Sequence, residues 1–417
     1  MTSIASPVAW LTSSSGIAAV ERAVATLNAT AQRDDSAQLL ALTDDLRSSG
    51  LTVAQVRVVS EAARTRRRAR RRWRRADELI MTRDALEQAS DPGVAAWRAQ
   101  RVAGTDVLDV CAGAGADAVA FAATGGRVAA FDRNGERLEL LAHLARLHRV
   151  DVGRAIADAE QLPAVVRPTM HVHADPGRRD EQGRRLRRLD ELIPPVDALR
   201  VIARPASSAS ITLPPAVDLA DPALAGGEVE FVQVGRSLVE AVLWLGAARH
   251  AGVLATATVL DDDPAGLDDA LPARATMSRT SAVDAVAAGP VGAFIVDVAP
   301  AAIRARLHDA VARQIAAHRV TESRAVLTTD VLPPSSPWYA VREVEQVLPA
   351  RPKRVRAWLR TVDELPVEVV LHGVDADPEA WWRGLGQPPR GPNGRRIEIL
   401  RTTTGAIVIA TRAPRAH

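Results

Sequence analysis

The chain has one cysteine, one tyrosine, four phenylalanines and a single lysine, Lys353, in 417 residues. With Cys111 alone, no disulfide can close within the chain and no multi-cysteine zinc module is available; a reducing compartment is the default expectation. Long apolar runs are also lacking. Arg, Asp, Pro or Gly interrupts each one well before the ~20 residues that a transmembrane helix needs. The opening MTSIASPVAWLTSSSG has no basic segment followed by a sustained apolar stretch, so no secretory signal is read. The expectation is a soluble, cytoplasmic protein.

What is present is the material of a folded protein. Hydrophobic residues make up 47% and charged residues 25% of the sequence, which argues against wholesale disorder. At roughly 150 residues per domain the length allows two or three domains, each with its own core. The 53 basic and 50 acidic residues leave a net charge of only +3. Nearly all the cations are arginine, which together with the many alanines looks like GC-rich coding, so arginine content alone says little about nucleic acid.

The first hundred residues carry helix punctuation. Thr52-x-x-Gln55 has the form of a capping box, and Val53, Val56, Val59 and Ala63 follow at helical spacing into an arginine tract. Asp91-Pro92 reads as an N-cap with proline at the first helical position, and Gly104 as the stop. From residue 106 short β-branched runs alternate with helical stretches: a strand at 107–110, a helix to Thr124, a strand at 127–131, a helix through Leu147. This βαβα pattern predicts a parallel sheet. It continues through strands near Ile156, 170–174, Ile211, Val229, Val253 and Phe294, and closes with a helix carrying Ile303, Leu307, Val311 and Ile315 on one face. The proline-rich segment 332–337 is the best linker candidate. A small α+β unit is expected after it, with strands at 341–347 and 367–371, helices at 353–360 and from Asp377-Pro378, and a final hairpin of 397–400 with 407–410 across Thr404-Gly405. The expected division is a helical region over 1–92, an α/β domain over 93–332 and an α+β domain over 338–417.

The segment 107–117, VLDVCAGAGAD, is a hydrophobic strand that runs into a small-residue turn and then a helix. Its glycines let backbone approach a ligand closely, and a helix N-terminus follows. Asp132 ends the next strand, where an acid can accept hydrogen bonds from ribose hydroxyls. Gly113-x-Gly115-x-x-Ala118 also meets a loose dinucleotide fingerprint, and Asp109 decides between the two cofactor classes. An acid inside the first strand suits the methionine ammonium of S-adenosylmethionine (SAM), whereas it would repel a pyrophosphate. Asp158 follows the third strand, placed to accept from an adenine amino group, and Asp175-Pro176 follows the fourth, where a catalytic dipeptide is expected. The expected cofactor set is Asp109, Cys111, Ala112, Gly113, Ala114 and Gly115, with Asp132, Arg133, Asp158 and Ala159. The expected catalytic set is Asp175, Pro176 and Arg178. A dinucleotide-dependent oxidoreductase stays as a distant alternative.

These residues, with 81–90 (MTRDALEQAS), 175–180 (DPGRRD), Gly183-Arg184-Arg185, 239–244 (VEAVLW), Gly373-Val374-Asp375 and Asp377-Pro378, resemble the class I SAM-dependent methyltransferases that carry a C-terminal THUMP-like domain. The resemblance covers most of the chain. It implies a Rossmann-like α/β methyltransferase sheet, an N-terminal helical region, a small C-terminal α+β domain related to RNA-binding modules, and methylation of RNA. The chain departs from the pattern at Thr212, where the family usually has lysine, at Pro215-Ala216 in place of a Pro-Gly turn, and at Val370, Leu371 and His372, where a basic triplet is usual. Each basic residue lost removes positive charge on the substrate side, which keeps a second reading open: a degenerate SAM-binding or RNA-binding protein on the same fold.

Nine arginines in 64–75, with Trp73 among them, form a run that can track phosphates and stack a base, or simply face solvent. His171, His173 and Asp175 alternate along one strand at a metal-ligating spacing, but no further His or Cys cluster completes a site, and the expectation is no metal. Cys111 lies inside the cofactor loop and not after the fourth strand, so covalent catalysis on a pyrimidine is excluded. Transfer to nitrogen or oxygen is left. Arg178 and Arg179 either anchor an anionic substrate group or pair with Asp180 and Glu181. Trp97, Trp244, Trp358, Trp381 and Trp382 are read as core filling.

Overall fold

The computed structural model describes residues 6–32, 34–179, 182–262, 273–322, 325–362, 366–372, 374, 377–385, 395–402 and 405–412. They divide into two compact units, Met1–Leu254 with Leu260–Ala273, and Ala255–Val259 with Arg274–His417.

The first unit opens with helices α1 (Pro7–Leu11), α2 (Ser14–Ala29), α3 (Asp35–Ser48) and α4 (Val53–Ala69). Ser6, Ser13 and Asp34 each turn a side-chain oxygen onto a backbone N–H of the first turn, and Thr52 and Gln55 complete the capping box. Helix α4 ends at Ala69, so the arginine tract leaves the helix half-way and continues in turns. Short helices α5 (Arg83–Gln88) and α6 (Pro92–Gln100) lead into the α/β part. There β1 (Val107–Asp109), α7 (Ala116–Ala123), β2 (Val128–Asp132), α8 (Gly135–Leu147), β3 (Val152–Ile156), β4 (His171–Ala174), α9 (Val196–Ala203), β5 (Ser208–Leu213), β6 (Glu228–Val234) and β7 (Ser237–Gly246) follow.

Within this unit the strand order is β3-β2-β1-β4-β5-β7-β6. The pairs among β1 to β5 are parallel, and β7 runs antiparallel to both β5 and β6. The order reverses between β1 and β4. In an open parallel sheet that reversal leaves a crevice at the carboxyl ends of the strands, where ligands bind. Leu11, Leu27, Leu42 and Leu46 of the N-terminal helices share one core with Phe121, Leu141 and Val152 of the α/β part. The helical region expected over 1–92 is therefore continuous with the sheet's own core.

The second unit contains β8 (Ala255–Leu260) and β9 (Ala273–Arg279), most of whose residues belong to it, then β10 (Phe294–Val298), α10 (Pro300–Arg304), α11 (His308–Gln314), β11 (His318–Arg319) and β12 (Val326–Thr329). After these come β13 (Tyr339–Pro349), α12 (Pro352–Leu359), β14 (Pro366–His372), α13 (Pro378–Leu385), β15 (Arg395–Thr402) and β16 (Gly405–Arg412). Its sheet has the order β11-β12-β10-β13-β16-β15-β14. The hairpin expected near the C-terminus is β15 with β16; Thr404 itself lies outside the described residues, as do Gly373 and Asp375. Two expectations change. The single helix after Pro300 is two short ones, broken where Arg306 takes a φ of 56°. The segment 332–337 is no domain linker, because β10 pairs with β12 before it and β13 after it. It is a connection within one sheet, held by the Tyr339 hydroxyl, which donates to the Pro334 carbonyl at 2.8 Å.

Candidate functional site

Strand β1 ends at Asp109 and the chain turns through Cys111–Gly115 into α7. Gly113 and Gly115 sit at φ 54° and 89°, left-handed conformations that favour glycine. At Gly115 a Cβ would also collide with the Leu141 side chain, so the turn can approach α8 this closely only with glycine there. Asp132, at the end of β2, braces the turn: one carboxylate oxygen accepts from the Gly113 N–H at 2.9 Å and the other from Asn134 N–H at 2.8 Å. Asp158 follows β3 and caps a 3₁₀ turn through the Glu160 N–H at 3.3 Å. Asp175 follows β4 and pairs with Arg178 at 3.2 Å.

The turn residues Cys111 to Gly115, with Asp132, Arg133, Asp158 and Ala159, line one cavity of about 1060 Å³, and Asp175, Pro176 and Arg178 line it too. That is at the upper end of small-molecule sites, which run to about 1,000 Å³. The sequence-predicted residues thus come together at the switch point, with one difference. Asp109 is not on the wall but buried beside it, 1% exposed. Its Oδ1 accepts a 3.4 Å bond from the Cys111 N–H, and its Oδ2 has no partner among the described residues. Burial, with Asp175 and Asp132 adding their charge, pushes its carboxyl up to about 8. An orphaned buried carboxylate oxygen is costly unless something polar or cationic meets it. It fits a ligand ammonium. The same burial, reinforced by the charges of Asp109, Asp175 and Asp132, raises the Cys111 thiol far above its usual range and keeps it protonated.

Three cavity residues, Ser90, Asp117 and Glu240, carried no assigned role in the sequence reading; Arg72, Arg179 and Arg185 line the cavity too. Behind the wall Arg98, 1% exposed, bonds the carboxylates of Asp117 and Glu240 with separate guanidinium nitrogens. Ser90 Oγ donates to Asp117 at 2.6 Å. The positions of Ser90, Asp117 and Glu240 inside shared motifs were the available signal; for Arg98 there was none.

The alternating histidines do not join Asp175. His171 Nδ1 and Nε2 meet Ser208 Oγ and Ser210 Oγ at 2.9 and 2.8 Å, and His173 Nδ1 meets Ser210 Oγ at 2.9 Å. Both rings pack against Phe121 and are held neutral by burial, pushed down to about 3. Among the described residues no group of three His, Cys, Asp or Glu could hold a metal ion, and no helix is long and apolar enough to cross a membrane. Trp73 is a buried core residue, 4% exposed, so the arginine tract presents no base-stacking ring there. Trp97 and Trp244 both donate to Glu230, at 3.0 and 2.9 Å, and Trp381 lies in the core of the second unit. Asp180 and Glu181, the suggested partners of Arg178 and Arg179, lie outside the described residues.

The fold defines the class, an α/β fold with a cleft at a sheet switch point and the architecture of methyltransferases. The crystal structure of a "putative methyltransferase" from Porphyromonas gingivalis W83 superposes with a TM-score of 0.71 over 88% of this chain and 92% of that chain, at 15% identity. Two Mycobacterium tuberculosis proteins, from strains CDC 1551 and H37Rv, are each 27% identical over 335 residues, 79% of this chain and 87% of theirs; both are named uncharacterized S-adenosylmethionine-dependent methyltransferases. No family model matches the chain.

Proposed function

We propose that the protein is a SAM-dependent methyltransferase that methylates a nitrogen or oxygen of RNA, without a cysteine nucleophile. The observation that carries the cofactor is the orphaned Asp109 carboxylate beside a glycine turn at the switch point; the named relatives agree with it. SAM supplies a methyl group on a sulfonium, already electrophilic enough that alignment and desolvation do most of the work. In this reading Asp109 takes the ammonium of the amino-acid end. Asp132 keeps free lone pairs for ribose hydroxyls while bracing the turn, and Arg133, Asp158 and Ala159 flank the adenine end. Asp175 faces the acceptor and, in the free protein, holds Arg178 beside it. Cys111, held protonated, contributes packing, and Cys111→Ser should leave transfer intact.

RNA as acceptor rests on the resemblance and on charge at the cleft. Arg72, from the arginine tract, lines the same cavity as Arg133, Arg179 and Arg185, and all four are exposed. Cations from three separate segments at one mouth suit a phosphodiester backbone. The THUMP-like role of the second unit belongs to the same proposal. Methyl transfer from labelled SAM into total RNA, with DNA and protein fractions as controls, tests it. Label in RNA that is lost in Asp175→Ala is the expected result; label only in protein would remove RNA, and no SAM binding by the folded protein would remove the cofactor.

A further inference from the structure

The Arg98 cluster has no place in the function just proposed. Arg98 lies in α6 and does not line the cavity, yet two residues it binds do, and they come from opposite parts of the unit. Asp117 is in the first turn of α7, directly after the glycine turn. Glu240 is on β7, which reaches the rest of the sheet through β5 and β6. The side chains of Arg98, Asp117 and Glu240 are 1%, 8% and 4% exposed. Ser90 Oγ takes the second oxygen of Asp117 at 2.6 Å, and neutral His173 sits 3.7 Å from it. Arg98 Nε has no hydrogen-bond partner among the described residues. One guanidinium therefore serves two buried carboxylates, using the fork that a planar five-donor group offers and a lysine does not.

Well-packed apolar residues hold such a position at least as firmly as a buried ion cluster does, and α6 already contributes Ala95 and Ala99 to the core. Stability alone gives no reason for three charges here. Geometry does, because hydrogen bonds fix angle and register where apolar packing tolerates small slips.

We propose that Arg98 is a positioning residue that ties the two walls of the cleft together, setting the glycine turn next to Asp117 against the β7 wall at Glu240. The proposal rests on the cofactor reading only for its consequence, which is that the turn is held in its binding conformation before SAM arrives. The tie itself is a property of the free protein.

Hydrogen exchange on the ligand-free protein tests the tie without any cofactor. Glu240→Gln keeps the shape of the side chain and gives up the ion pair. If the tie exists, exchange rises in residues 113–119 as well as in 237–243, although the substitution is on β7, and Arg98→Lys loosens both segments while β15 and β16 keep their protection. Loosening confined to 237–243 in Glu240→Gln, or unchanged exchange at 113–119 in Arg98→Lys, overturns the proposal. SAM titration then reads the consequence. Each variant should bind about tenfold more weakly, and the double variant no more weakly than Arg98→Lys alone, because both remove the same link. Additive losses overturn the link as a positioning device. A parent protein that binds no SAM would overturn the cofactor reading, with the exchange result still deciding the tie.

Discussion

Binding of SAM should depend steeply on pH through Asp109, and the direction follows from the site. The free protein holds this carboxyl at about 8, against about 3.9 in an unfolded chain. At pH 7 the folded, ligand-free protein therefore keeps Asp109 mostly protonated, while a ligand ammonium requires the carboxylate. Binding must expel that proton. Up to about pH 7 the affinity should tighten by nearly tenfold per unit, and less steeply from there to pH 8 as the carboxyl begins to ionise unaided. An α-amino group loses its own proton near 7.7–8.0, so the affinity falls again above pH 8 and the profile is a bell centred there. Stability has the opposite slope. Because the folded state binds the proton more tightly than the unfolded state, stability of the ligand-free protein falls as pH rises from about 4 to 8, by up to about 1.4 kcal/mol per unit from this one group.

Calorimetry in two buffers of different ionisation enthalpy counts the protons directly. At pH 6.5–7 about one proton should be released per SAM bound in the parent, and none attributable to this site in Asp109→Asn. The variant should bind weakly with no acid limb, yet melt higher than the parent at pH 8, since a neutral amide no longer suffers the cost of a buried charge. A parent affinity that stays flat between pH 6 and 7.5, or an unchanged proton count in Asp109→Asn, would refute the assignment of Asp109 as the ammonium's partner.

Three further outcomes are open to simple measurement. Gly115→Ala forces a side chain into a left-handed position against Leu141, and should lower the melting temperature and reduce SAM binding; a variant that binds like the parent would show that the turn rearranges freely. Arg72→Ala and Arg185→Ala should each weaken RNA binding across sequences and reduce the slope of log affinity against log salt by about one, measured by fluorescence anisotropy; unchanged slopes would place the RNA elsewhere. The fragment 338–417 should show little cooperative unfolding by circular dichroism, whereas 255–417 should fold, because β13 without β10 loses one of its two neighbouring strands.

The cleft was legible because its parts are local. A β1 acid, a glycine turn and an acid after each next strand lie within short stretches of chain, and parallel-sheet topology carries them to one edge. The domain boundaries were less legible, because they depend on which strands pair. Residues 332–337 have the composition of a linker, and only the pairing of β10 with both β12 and β13 shows that they lie inside a sheet. Likewise the first hundred residues read as helices, and nothing local says that their leucines meet Phe121 and Leu141 in one core. Trp73 stayed open for a related reason: among nine arginines a ring can stack a base or sit on a solvated face, and only the fold shows it buried in the core. Arg98 is the extreme case. It stands among 53 basic residues, and its partners are 19 and 142 positions away. Burial separates it from the rest of that excess, since a solvated arginine can be exchanged cheaply, whereas one that holds two carboxylates out of water cannot be removed without exposing the cost of both.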